Sequence, residues 1–254
     1  MANYILSAIE IRSELLICEV LLNGGLVHRD TKGVRAVTQT KLNQWIVAGD
    51  NRLEVSLAPL QGEVMDPGAR FSLQIIEGEH GREPAVTYEY RWDPVASPVV
   101  GAGLTTVLAV DRPLLAFDGP WEWERAQPYT DADRPAIEAL VARVHAAFVA
   151  RDAAALVALT TVRNQEMDRA FGLDPANADA VFLRFYQEQF RPPSFRTDPL
   201  DPSTLLLHPR SGGRLVEVTD PAMGPPVRGR DDEQESPFPM TVSHLDKTGW
   251  TIVR

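Results

Sequence analysis

Leu42-Asn43-Gln44-Trp45-Ile46-Val47-Ala48-Gly49-Asp50-Asn51-Arg52-Leu53-Glu54-Val55-Ser56-Leu57 joins a buried aromatic, a forced turn and an alternating strand. Gly49, Asp50 and Asn51 tolerate positive φ or hydrogen-bond their own backbone, so they favour a tight turn. Beyond it Leu53, Val55 and Leu57 alternate with Arg52, Glu54 and Ser56, the period of a strand with one buried face. Ahead of it Leu42, Trp45 and Ile46 have the spacing of one helical turn, which sets an indole over a sheet edge. The whole run reads as a cap followed by a strand.

Working outward, residues 1–127 read as strands throughout. Candidate segments are Ile5–Ile11, Leu15–Leu22, Leu26–Asp30, Val34–Thr38, Leu53–Leu57, Ala69–Glu77, Ala85–Trp92 and Thr105–Val110, separated by Gly, Pro and Asp turn signals. Asn23-Gly24-Gly25 predicts a hairpin, and a second is expected at Gly78-Glu79-His80-Gly81-Arg82. Many short strands without a long amphipathic segment argue for an all-β sandwich. The turn-then-strand element around Gly49 to Leu57 resembles that of jelly-roll sandwiches similar to galactose-binding domains, although Ala48 stands where proline is common. Trp121 and Trp123 lie in a closing segment, where they cover the core or form surface aromatics that line a groove.

At Gln127 to Asp133 the character changes, and the sequence boundary is set between residues 127 and 128. Asp133 and Pro135 open a first helix, with Ile137, Leu140, Val141, Val144 and Phe148 on one face. Asp152 caps a second, which Gly172 ends. A third, carrying Val181, Phe182, Phe185 and Tyr186, stops before Pro192-Pro193. Strands then follow at Leu205–Leu207, Leu215–Val218, Met240–Leu245 and Trp250–Val253, while Asp220 to Pro239 reads as a long loop and Ser211-Gly212-Gly213-Arg214 as a hairpin turn. Helices followed by an antiparallel sheet make residues 128–254 an α+β domain. The strings Ala136–Leu140 and Phe148–Leu156, with the terminal Gly249–Val253, resemble the nuclear transport factor 2-like cone. That resemblance implies three helices and a curved antiparallel sheet around a pocket, used for catalysis in some members and for binding or dimerisation in many others.

With 44% hydrophobic and 24% charged residues the chain has the composition of a globular protein. No apolar stretch reaches bilayer-spanning length, and Met1 to Glu10 lacks the parts of a secretory signal, so a cytoplasmic location without membrane contact is expected. The net charge of −10, spread over both halves, disfavours nucleic acid and anionic lipid. Cys18, the single cysteine, cannot form an internal disulfide and reads as a small buried hydrophobe.

Reactive spacings are sparse. Among His28, His80, His145, His208 and His244 none has a second ligand at a recognised metal spacing, so no metal or cofactor is expected. His80 with Glu77, Glu79 and Glu83 reads as a charged loop, and His145 as a packed histidine. Tyr186, His208, His244 and Trp250 are the candidate pocket residues of the C-terminal half, with imidazole as an acid or base near neutral pH and Asp220 as a further partner. No Gly-rich phosphate loop, dinucleotide fingerprint or nucleophile elbow is present. No catalytic set is assigned. The leading expectation is therefore a non-catalytic binding or assembly protein with a protein partner, a second copy or a small-molecule ligand. The alternatives are a small-molecule enzyme or carrier using the C-terminal pocket, and a carbohydrate-binding N-terminal sandwich using Trp45, Trp92, Trp121 and Trp123.

Overall fold

The computed structural model describes residues 5–79, 82–98, 104–110 and 120–254, the backbone alone over 104–110. His80 and Gly81, and with them the tip of the expected second hairpin, lie outside the described residues. The described residues are rich in antiparallel sheet and form three α-helices. It divides into two compact units, Met1–Pro120 and Trp121–Arg254.

The first unit holds β1 (Ile5–Glu14), β2 (Leu16–Leu22), β3 (Gly25–Asp30), β4 (Ala36–Lys41), β5 (Asn51–Pro59), β6 (Arg70–Glu79), β7 (Ala85–Arg91) and β8 (Leu104–Val110). They form two four-stranded sheets, ordered β4-β1-β6-β7 and β3-β2-β5-β8. Period-2 alternation buries Ile9, Ile11, Leu73 and Ile75 on one sheet and Cys18, Val20, Leu53 and Val55 on the other. Between β1 and β2 the chain passes from one sheet to the other at Leu15, in the left-handed region at φ 57°. Burial pushes the Cys18 thiol up to about 11, with the Asp30 charge adding to the shift, so it is inert as a nucleophile.

The opening stretch acts here as a cap. Asn43 to Trp45 form one 3-10 turn that buries Leu42, Trp45 and Ile46. Asn51 is the hub of the turn that follows. Its Oδ1 accepts from the Val47 amide at 3.0 Å and from Asn23 Nδ2 at 2.7 Å, and its Nδ2 donates to the carbonyls of Val47 and Gly49. Asn23 also donates to the Trp45 carbonyl at 2.7 Å, so the Asn23-Gly24-Gly25 hairpin and the Trp45 cap are one assembly. Gly25 is required there because a Cβ would come within 2.1 Å of the Trp45 ring. Gly25→Ala is expected to cost about 1–3 kcal/mol through overpacking. Faster labelling of Cys18 under native conditions reads this out, and an unchanged labelling rate would show that the cap yields without cost.

The second unit holds α1 (Arg134–Ala150), α2 (Ala153–Ala170) and α3 (Ala178–Gln189), then β9 (Arg196–Thr197), β10 (Leu206–Arg210), β11 (Leu215–Thr219), β12 (Val227–Arg230), β13 (Glu235–Phe238), β14 (Met240–Leu245) and β15 (Gly249–Ile252). Asp152 caps α2 by accepting from the Ala155 amide at 2.9 Å. Asp133 precedes α1 but does not cap it. Its carboxylate turns back onto the amide and hydroxyl of Thr130, which hold it below the usual carboxylate range. The strands make two sheets, β10-β11-β14-β15 and β13-β12-β9. The stretch from Asp220 to Pro239 is thus not one loop, since it contains the β12–β13 hairpin. Gly229 on β12 lies against the Phe195 ring, where a Cβ would sit 2.3 Å from the nearest ring carbon, so the strand carries a glycine at a packed position.

The unit begins ahead of residue 128 because the turn after Trp121 packs onto α2. The Glu122 amide donates to Glu166 at 2.6 Å, and the Gln127 amide donates to the His244 carbonyl at 3.0 Å. Between the helices and the sheets, Phe148 meets Phe190 at 5.3 Å and Phe238 at 5.4 Å, both edge-on. Ile137, Val141, Val144, Val216, Val218, Val242 and Ile252 complete this core.

Candidate functional site

Strand register separates the two candidate histidines. His208 on β10 lies opposite Glu217 on β11, which pairs in turn with Thr241 on β14. Their neighbours Val216, Val218 and Val242 point the other way, into the helix-packed core. His244, two residues beyond Val242 and opposite Trp250, shares that core-ward face. His208 and His244 therefore occupy opposite faces of one sheet and cannot serve one site. His208 Nε2 lies 2.9 Å from Thr219 Oγ1. His244 stacks on Trp250, centroids 5.4 Å apart and planes 11° from parallel, and Trp250 Nε1 donates to Asp133 Oδ1 at 3.3 Å.

Tyr186 is in the core with only 1% of its surface exposed. Its ring meets those of Phe182, Phe185, Phe190 and Phe238, and its hydroxyl lies 3.4 Å from Arg163 Nη2. Burial raises the phenol above its ordinary value, with Arg163 opposing the shift. Of the four residues expected to line one pocket, only His244 and Trp250 are brought together. His145 is a packed histidine, with Nε2 2.8 Å from the Asp198 carbonyl.

The expected surface aromatics are also corrected. Trp121 is fully buried and Trp123 is buried at 4% exposure, while Trp45 and Trp92 are buried in the first unit. A sugar platform needs an exposed ring face. Trp121 is instead enclosed by cations, with the Arg254 guanidinium 4.7 Å and the Arg169 guanidinium 5.3 Å from its ring centroid.

That enclosure backs onto a cleft of about 550 Å³, a volume typical of small-molecule sites. Val162, Gln165, Glu166 and Arg169 recur on α2 at the spacing of one helix face and form one wall. Glu122 and Arg125 contribute from the turn after Trp121, and Leu245, Asp246, Lys247 and Thr248 from the β14–β15 turn. Glu166 is spent structurally. Its Oε2 accepts from Arg254 Nη1 at 2.5 Å, and both side chains are almost wholly buried. Burial pulls the Arg254 guanidinium below its ordinary value while the Glu166 carboxylate opposes that shift. Asp246 Oδ1 accepts from Gln127 Nε2 at 2.9 Å. Arg125 and Lys247 form no ion pair among the described residues.

The sequence reading missed this cleft. Its signal was the α2 face from Val162 to Arg169, which reads as an ordinary solvated helix side until the β14–β15 turn is placed beside it. No group of three or more His, Cys, Asp or Glu side chains suited to a metal occurs among the described residues. No helix there is long and apolar enough to cross a membrane.

The chain matches no family model, no curated protein and no solved structure.

Proposed function

We propose that this is a non-catalytic binding or assembly protein, with a galactose-binding-like β-sandwich followed by a nuclear transport factor 2-like cone. One observation carries the reading. The space between the helices and sheets of the C-terminal unit is taken up by Phe148, Phe190, Phe195, Phe238 and Tyr186. An enzyme of the cone type needs that interior open and polar, whereas here aromatic rings pack edge to face at 5.1–5.4 Å. The separation of His208 from His244 across the sheet supports the same reading. Assembly has a specific surface in its favour, since Val181 and Phe185, one turn apart on α3, are more than half exposed.

The test is to incubate the purified chain with a broad metabolite mixture and follow consumed and formed compounds by mass spectrometry. Compounds retained by the protein and released unchanged are the expected result. A product formed by the wild-type chain and lost in His244→Ala or Tyr186→Phe would overturn the proposal.

A further inference from the structure

The cleft beside α2 lies away from the filled interior, and its chemistry is specific enough to name a ligand class. Two of its carboxylates are engaged, Glu166 by Arg254 and the Glu122 amide, Asp246 by Gln127. Gln127 is neutral, so Asp246 keeps its charge, and with Glu166 cancelled by Arg254 the lining sets three cations, Arg125, Arg169 and Lys247, against two carboxylates, Glu122 and Asp246. In a chain of net charge −10 this is a local reversal of sign, and a concave surface concentrates such a field. Val162, Pro175 and Leu245 supply an apolar wall beside those cations. A pocket with apolar lining and a few placed charges orients a ligand by its head group and gains affinity from its body.

We infer that this cleft binds a small organic carboxylate, with the anionic head group held by Arg125 and Lys247 and an apolar body laid against Val162, Pro175 and Leu245. The inference rests on the binding reading above and deepens it by naming the ligand class. Arg125 stands three residues after Glu122 on a 3-10 turn, where side chains at that spacing eclipse, so the turn presents both to the cleft. Lys247 approaches from the β14–β15 turn, so the two cations reach the head group from separate elements.

Calorimetric titration of the full chain with sodium octanoate tests this. Saturable one-site binding is expected, with octan-1-ol and octylammonium binding at least about tenfold more weakly, as befits loss of a charge-assisted hydrogen bond. The double variant Arg125→Ala/Lys247→Ala is expected to lose affinity by at least about the same factor. Both residues are exposed, so folding is retained, and Arg125→Lys/Lys247→Arg should keep octanoate binding. Absence of saturable octanoate binding, equal binding of octan-1-ol, or an unchanged double variant would each overturn the assignment. None of those results touches the non-catalytic reading, which falls only to turnover.

Discussion

Glu166→Ala is expected to destabilise the C-terminal unit by about 3–5 kcal/mol, the usual cost of removing one partner from a buried ion pair. The side chains of Glu166 and Arg254 are 5% and 4% exposed, so water cannot replace the lost carboxylate. Two donors lose the carboxylate together, the Glu122 amide and Arg254 Nη1, which is left with the neutral Val253 carbonyl in place of a charged acceptor. The Arg254 guanidinium also packs on Trp121, so the loss spreads to the turn that forms one side of the cleft. The three α-helices among the described residues all belong to this unit, so the helical far-ultraviolet signal in a urea titration follows its unfolding. Replacing both partners, as in Glu166→Met/Arg254→Met, should recover most of the loss, because no uncompensated charge remains buried. A single variant as stable as the wild type would mean that the pair is solvated in solution.

Phe148→Ala should cost a comparable amount, about 3–5 kcal/mol for a buried phenylalanine. Phe148 is 1% exposed and touches three other rings, those of Phe190, Phe195 and Phe238. These come from the end of α3, the segment before β9 and β13, so truncation removes the group on which three separate elements converge. Phe148→Leu keeps apolar volume but loses the edge-to-face contacts, and an intermediate loss is expected. The same urea titration measures both. If Phe148→Ala unfolded at the wild-type midpoint, the interior would not be close-packed around this ring.

The elements of the first unit were legible because their signals are local. Strand alternation and the turn residues Asn23, Gly25 and Gly49 each act within a few positions, and every expected strand forms within a few residues of its place. The meeting of Trp45 with Gly25 was not legible, since it depends on a contact between two segments that sequence spacing does not link. In the second unit, where of the expected N-terminal caps only Asp152 on α2 forms, the three helices announced themselves through apolar periodicity. β12 and β13 did not, because Gly229 and Pro237 interrupt the apolar pattern and the charges of Arg228 to Glu235 imitate a loop.

The candidate site fared worse for a related reason. His208 and His244 lie on strands that were both foreseen, yet their faces follow from register, which pairs Glu217 with Thr241 and Val216 with Val242. The closing segment leaves Trp121 and Trp123 free in sequence terms either to cover the core or to line a groove, and the contacts of Trp121 with Arg254 and Arg169 come from far along the chain. The cleft draws on residues from Glu122 to Thr248, and nothing short of the fold assembles them.

Whether the interior of the C-terminal unit is closed decides between binding and chemistry. A crystal structure of xenon-pressurised crystals tests it directly, because xenon enters apolar cavities that stay dry. Neither xenon nor an ordered chain of water should appear among Phe148, Phe190, Phe238 and Tyr186. A xenon site there, or ordered water reaching the Tyr186 hydroxyl, would show an open interior and contradict the proposed binding role.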